Sequence, residues 1–361
     1  MRLAVDARPL VERPTGVGRY LEGLLPAWLD QEPSDSFVLL SPRKVHVPER
    51  LAGRVDVADS PALPGTLWLQ TAAARAARRS GADAFFGSLG ILPLLSSLPG
   101  VATVHDLTPL LFPEWHSWRN RLGFNPFIGA TVRRARRIVA VSVATRRDLV
   151  GAFADAASKT AVVHNGVEPE APAALAPAPH GGKPYVLYVG TLEPRKNVSR
   201  LVAAMEAIWD RRPDFPDLVL AGGDGWGMDG FAERVARSRH AARVKRVGYL
   251  GPGERARWLK GARVFAYPSL YEGFGLPPLE AMAQGTPVVG SSASSLPEVM
   301  GDVGLLPDPA AVPDIAAALE QAHDDASFRR HAAAEGPRRA GIFTWAAAAA
   351  KTRAIFEEAL S

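Results

Sequence analysis

VFAYPSLYEGFGLPPLEAMAQGTPVVGS, residues 264–291, divides into four parts. VFAYPS is an apolar run with strand character. LYEGFG is a turn with paired glycines. PPLEAMAQG suits a short helix, with proline tolerated in its first turn and Gly285 as its stop. TPVVGS is a second apolar run. Strand, turn, helix and strand in this order make the crossover unit of a parallel α/β sheet. Ligands of such sheets bind beyond the carboxyl ends of the strands. The turn after VFAYPS is therefore the place to look for chemistry.

The same alternation extends through the chain. Strands are expected at LAVDA (3–7), FVLLS (37–41), VATVHD (101–106), IVAVS (138–142) and TAVVHN (160–165). A second series follows at YVLYVG (185–190), DLVLAG (217–222), VKRVGYL (244–250), 264–269 and 286–291. Helical spacing marks 129–137, 197–209, 230–239, 253–261, 313–323 and 345–360. Between the two series, EPEAPAALAPAPHGGKP (168–184) is dense in Pro, Ala and Gly and reads as a linker. The expectation is an α/β protein of two Rossmann-like domains, 1–175 and 176–344, with parallel sheets facing a cleft. A terminal helix, 345–361, either ends the second domain or crosses back onto the first.

Composition agrees with two cores: 361 residues, 47% of them hydrophobic, exceed one ordinary domain. The absence of cysteine excludes a disulfide framework and thiolate chemistry. MRLAVDARPL has no secretory pattern, and no run reaches the roughly 18 apolar residues of a membrane span. A cytoplasmic protein is expected, peripheral at the inner face of the membrane if it meets lipid there. The formal charge is +5, and residues 1–170 hold 20 Lys/Arg against 16 Asp/Glu. The densest basic runs are ARAARRSGAD and TVRRARRIVAVS. They read as solvated helix faces or as a surface for anionic headgroups. Nucleic acid is not expected, because aromatics do not interleave with the basic runs.

Within 269–291, Gly273 and Gly275 let the backbone pass close to a ligand. Amides at the helix start suit phosphate. Glu272 and Glu280 flank them, each able to accept hydrogen bonds from a pair of hydroxyls. A sugar and a ribose offer such pairs. EGFGLPPLE with AMAQGTPVVGS resembles the signature of the retaining glycosyltransferases of family 4, which have the GT-B fold. The resemblance implies that Glu272 contacts the transferred sugar and Glu280 holds the ribose. It also implies that the amides of Phe274, Gly275 and Leu276 approach sugar and diphosphate.

Other segments fit the same family. YVGTLEPRKNVSRLVAA (188–204) brings Gly190, Arg195 and Lys196 to a strand-to-helix turn, where two cations suit a diphosphate. Family members commonly place Arg directly after this glycine; here Thr191 stands there and Arg195 lies beside Lys196. RPTGVGRY (13–20) offers Gly16 in the first such turn, and VHDLTPL (104–110) ends a strand at His105 and Asp106. The resemblance puts Gly16 by the donor phosphates and His105 by the reacting centre. It makes GGDG (222–225), with Asp224, a loop near the nucleotide, and GYL (248–250), with Tyr249 and Leu250, a wall for the base. GWGMDG (225–230) fits a dinucleotide fingerprint, but the next strand lacks the acidic residue a ribose would need.

The implied reaction moves a hexose from a nucleoside-diphosphate sugar, GDP-mannose before UDP-hexoses, to a glycan or lipid-linked acceptor of cell-surface polysaccharide. HDLTPLLFPEWHS and GTLEPRKN resemble mannosyl- and rhamnosyl-type enzymes of O-antigen assembly. FPEWHSWRNRLGF (112–124) is a candidate acceptor loop. No cofactor and no metal are expected, since no Asp-x-Asp is present. Lys196, Arg195 and helix amides would neutralise the leaving diphosphate. A nucleotide-sugar epimerase of the same fold and a non-catalytic nucleotide-sugar sensor are the alternatives.

Overall fold

The computed structural model describes residues 1–58, 63–168 and 179–361, the side chains of Asn120 and Pro179 excepted. Most of the expected linker, 169–178, and the boundary at 175 lie outside the described residues. Two compact units emerge: Met1–Gly166 with Phe343–Ser361, and Val167–Ile342.

Among the described residues the first unit holds seven parallel strands: β1 (Arg2–Asp6), β2 (Ser36–Leu40), β3 (Asp56–Ala58), β4 (Ala84–Gly87), β5 (Gly100–Val104), β6 (Arg137–Ala140) and β7 (Thr160–Val162). Their order is β3-β2-β1-β4-β5-β6-β7. The described residues of the second unit hold five: β8 (Tyr185–Val189), β9 (Asp217–Ala221), β10 (Val244–Gly248), β11 (Val264–Ala266) and β12 (Val288–Val289), in the order β10-β9-β8-β11-β12. Every pairing in both sheets is parallel. These are the two Rossmann-like sheets that strand–helix alternation demands.

Two strands were not anticipated. β4 is buried along its whole length between β1 and β5, yet AFFG is too short to stand out as a run. Its last residue is glycine because a Cβ on Gly87 would lie 2.7 Å from the Ile91 carbonyl oxygen. β3 is a three-residue edge strand, two of its residues exposed, and carries no apolar signal. The helix expected at 129–137 instead spans Trp118–Arg134, and Arg137 already belongs to β6. Its first turns are exposed and so lack the apolar stripe that periodicity detects. VFAYPS is in the sheet only as far as Ala266. Pro268 has no N–H for a ladder and turns the chain out.

The helix Trp345–Leu360 packs on the helix Gly16–Gln31. Gly23 makes this close: a Cβ there would lie 2.1 Å from the Trp345 ring. Phe356 meets Trp28 and Phe86 edge-on, with centroids 5.7 and 5.3 Å away. Full burial of such a ring contributes about 1.5–3 kcal/mol. Arg353 reaches Asp35 at 3.0 Å and Thr344 caps the helix start. The last residues of the chain thus complete the first unit's core.

Candidate active site

β8 and β11 are hydrogen-bonded neighbours, so the turns that follow them emerge side by side. After β8, Pro194–Lys196 forms a 3₁₀ turn and Asn197 takes a left-handed conformation, φ 62°, before the helix Val198–Arg211. The Asn197 amide nitrogen donates to the carbonyls of Pro268 (2.9 Å) and Pro309 (2.7 Å). The Leu270 N–H donates to the Arg195 carbonyl at 2.8 Å. Backbone and amide bonds therefore lock the two turns together.

Their side chains form a buried charge cluster. The Lys196 ammonium donates to Glu272 Oε1 and to the Tyr267 hydroxyl, each at 2.6 Å. It also lies 5.0 Å from the Tyr267 ring centroid. Arg195 Nη1 donates to Glu272 Oε2 at 3.1 Å, and Arg195 Nε is 2.6 Å from Glu193 Oε1. Glu193, Lys196 and Glu272 are all buried. Two cations and two carboxylates give the cluster zero net charge. Both cations expected to meet a diphosphate are thus already matched by carboxylates, a balance the sequence reading did not include.

Burial raises the Glu272 carboxyl, but Lys196 and then Arg195 outweigh it, and its pKa lies below the usual value. Burial, with Arg195, pulls the Lys196 ammonium below its usual pKa against the pull of Glu272 and Glu193. Burial, with Glu272 second, pushes the Tyr267 phenol well up, so it stays protonated. Tyr267 sits face to face with Tyr188 and Phe265, centroids 5.7 and 5.9 Å away. That stack holds its hydroxyl on Lys196.

The turn after β11 is built for close approach. Gly275 has φ +107°, and a Cβ there would lie 2.6 Å from Leu296 Cδ2. Only glycine adopts this conformation without strain. The Ser294 and Ser295 hydroxyls reach the Glu272 carbonyl at 2.5 and 2.9 Å, and Ser295 also reaches the Phe274 carbonyl at 2.8 Å. Glu272, Gly273, Phe274, Gly275 and Leu276 are buried there. One expectation needs narrowing. The helix Leu276–Ala283 has Pro277 and Pro278 as its second and third residues. Neither carries an N–H, so of those first three residues only Leu276 offers an amide to an anion.

Glu280 is buried on that helix, and its Oε2 lies 3.3 Å from Arg255 Nε. Arg255, itself buried on the helix Pro252–Gly261, was missed. At the ends of β9 and β10, Gly222 has φ +138° and a Cβ there would lie 2.1 Å from the Gly190 carbonyl oxygen. That contact brings Gly190 beside the Gly222–Gly225 loop. Asp224 bridges to Leu192 and is ion-paired with Arg246. Tyr249 is exposed and Leu250 buried just after β10.

In the first unit, Gly16 opens the helix Gly16–Gln31 and is exposed, with nothing within 4 Å of where a Cβ would stand. Gly18 differs: its Cβ would lie 2.6 Å from the Pro9 carbonyl oxygen. Packing explains Gly18 and leaves Gly16 unexplained by the fold. His105 follows β5, and its Nε2 is 2.9 Å from the Ser88 carbonyl oxygen. The acceptor fixes the tautomer: Nε2 carries the proton. Burial lowers its pKa to about 4, against the Ser88 bond and Asp106, so the ring is neutral at pH 7. Tyr20 meets it edge-on at 4.9 Å. Asp106 accepts from the N–H and hydroxyl of Thr108 at 3.0 and 2.7 Å, so it caps that turn. Among the described residues no group of three or more His, Asp or Glu is placed to hold a metal ion.

Two family profiles match the chain. One, described as Glycosyl transferases group 1, covers residues 176–339; the other, Glycosyltransferase Family 4, covers 14–171. The chain is 35% identical over 254 residues to an O-antigen chain mannosyltransferase B of Escherichia coli, across 68% of this chain and 66% of that one. It is 31% identical over 320 residues to an MMP alpha-(1->4)-mannosyltransferase of Mycolicibacterium hassiacum, across 82% and 76%. Among solved structures, Anabaena Alr3699/HepE in complex with UDP-glucose superposes with a TM-score of 0.78 at 19% identity, over 99% of both chains.

Proposed function

Since the chain belongs to the family 4 glycosyltransferases and has the GT-B fold, we propose that its second unit binds a nucleoside-diphosphate hexose and its first unit binds the acceptor. The leading donor is GDP-mannose and the leading acceptor a growing glycan, lipid-linked or free. The mannosyltransferases among its relatives support that choice of sugar.

The observation that carries the reading is the buried cluster of Lys196, Arg195 and Glu272 at the carboxyl ends of β8 and β11. A largely buried, neutral cluster is a poor resting place for four ionised groups unless something exchanges partners with it. A diphosphate supplies the exchange. Its oxygens replace Glu272 on Lys196 and Arg195, and the freed carboxylate accepts hydrogen bonds from sugar hydroxyls. Positive charge is then fixed where the departing phosphate gathers negative charge, which is the dominant need of such a transfer. No protein nucleophile is required: a phosphate oxygen takes the acceptor's proton on the face the leaving group vacates, with retention at the anomeric carbon.

A thermal-shift screen of GDP-, UDP-, ADP- and dTDP-hexoses, with and without EDTA, tests the donor. GDP-mannose is expected to raise the melting temperature most, equally in EDTA. A larger shift with a UDP-sugar would replace the donor, and no shift with any of them would remove the function. NMR of the product then reports the anomeric configuration.

A further inference from the structure

The first unit carries a basic and apolar surface that includes part of the candidate acceptor loop 112–124. Leu63–Ala82 and Trp115–Arg137 together hold nine arginines (75, 78, 79, 119, 121, 133, 134, 136 and 137) and no aspartate or glutamate. Far apart in sequence, the two segments meet in the fold. The Thr66 hydroxyl donates to the Gly123 carbonyl at 3.1 Å. The intervening segment 92–98 is tied to both. Gln70 bonds the Leu92 carbonyl and the Leu94 N–H at 3.0 and 2.7 Å, and Arg134 donates to the Ser96 carbonyl.

On these joined segments stand large apolar side chains with no core to fill. Leu67 is 56% exposed, Leu95 82%, Trp118 64% and Leu122 60%. Trp118 and Leu122 are four residues apart on the helix Trp118–Arg134, hence on one face. Arg119 and Arg121 are exposed beside them, and the Arg119 guanidinium lies 5.4 Å from the Trp118 ring centroid. Arg75, Arg78 and Arg79 are exposed on the helical run that carries Leu67.

Each half of this combination has a distinct partner requirement. Arg137 is met by Glu358 at 3.0 Å; the other arginines, with no carboxylate in their two segments, call for an anionic surface. Exposed tryptophan and leucine among them need somewhere apolar just beneath that surface. A bilayer of anionic lipid provides both within a few ångströms, with indole favoured at the headgroup level. A nucleic acid satisfies the charge but gives the leucines nothing. A second copy of the chain would set arginine against arginine.

We propose that this face, centred on Trp118 and Leu122 and rimmed by arginines, docks the protein on anionic membrane lipid. The proposal is independent of the donor and of the transfer chemistry.

Co-sedimentation of the full chain with vesicles of 7:3 phosphatidylcholine:phosphatidylglycerol tests it, against pure phosphatidylcholine vesicles. Binding is expected to the mixed vesicles only, weakened by salt. Arg119→Glu with Arg121→Glu should lower partitioning about tenfold or more. Trp118→Ser with Leu122→Ser leaves the charge intact and should lower it by about as much, while Ile342→Ser, an exposed apolar residue of the other unit, should not. Thermal melts check that each variant folds. Four results would each overturn the proposal: no binding to the mixed vesicles in low salt; unchanged binding by the Trp118/Leu122 variant, which marks adsorption by charge alone; tighter binding to an oligonucleotide; or self-association abolished by that same variant.

Discussion

The strand ends of the two sheets share one topology and carry opposite chemistry. Beyond β8 and β11, two carboxylates and two cations are buried in mutual contact. Beyond β5, a neutral imidazole sits against a tyrosine edge and a backbone carbonyl. A buried ionic cluster rearranges when a charged ligand offers better partners. A neutral histidine, its Nε2 proton held by a carbonyl, carries no charge for such a ligand to draw away. The proposed function assigns phosphate to the charged cluster of the second unit and hydroxyl-bearing groups to the first unit.

Lys196→Ala attacks the charged side of this contrast most severely. Removing one preorganised stabiliser of developing charge costs about 10²–10³ in turnover, and Glu272 also loses its nearest partner. Steady-state kinetics on a variant with a normal far-UV spectrum should show the fall in kcat; activity within a few-fold of wild type would deny Lys196 its role. Next comes Glu280→Gln, which removes the carboxylate charge but keeps the shape. It should weaken free nucleoside diphosphate about tenfold in titration calorimetry, in line with a lost charged hydrogen bond. If only sugar-bearing donors are weakened, the ribose assignment to Glu280 fails.

Tyr267→Phe is a finer cut. It deletes the hydroxyl on Lys196 while keeping the ring stack, and about 1 kcal/mol, or fivefold, should appear in kcat/KM. Unchanged kinetics would make Tyr267 mere packing. On the neutral side, His105→Gln sharpens the contrast through pH. The histidine's folded pKa, about 4, lies below its ordinary 6.5. Its stabilising contribution is therefore full above pH 6.5 and lost as pH falls from 6.5 toward 4. Urea melts across that window should show a shallower pH dependence in the variant, and an identical slope would contradict the buried neutral ring. Smallest on stability is Gly16→Ala, expected to leave the melting temperature unmoved. Gly18→Ala should lower it, because its Cβ collides with Pro9 and Pro14.

Much of this architecture could be read from the chain because turns announce themselves. Apolar runs closed by Gly and Pro mark β8 through β11, and EGFGLPPLE marks the corner that follows. β4 escaped because four residues give no period, although its neighbours on both sides cover it completely. At the site, Glu272, Arg195 and Lys196 were legible from their positions after strands. Their mutual pairing was not, since it joins residues 76 and 77 positions apart. Glu193 and Tyr267 lie within the motif segments, but only parallel pairing of β8 with β11 makes them partners of the cations. Arg255 had no local signal at all, because its meaning lies in the buried carboxylate opposite. The two prolines after Leu276 were in plain view, and the loss of two amides follows from their chemistry alone.

A crystal structure with an intact nucleoside-diphosphate hexose addresses the exchange of partners at Lys196 most directly. Diphosphate oxygens are expected within hydrogen-bond distance of Lys196 and Arg195, with Glu272 turned onto the sugar. A donor bound while the Lys196–Glu272 pair stays closed at its present 2.6 Å, its diphosphate held elsewhere, would contradict it.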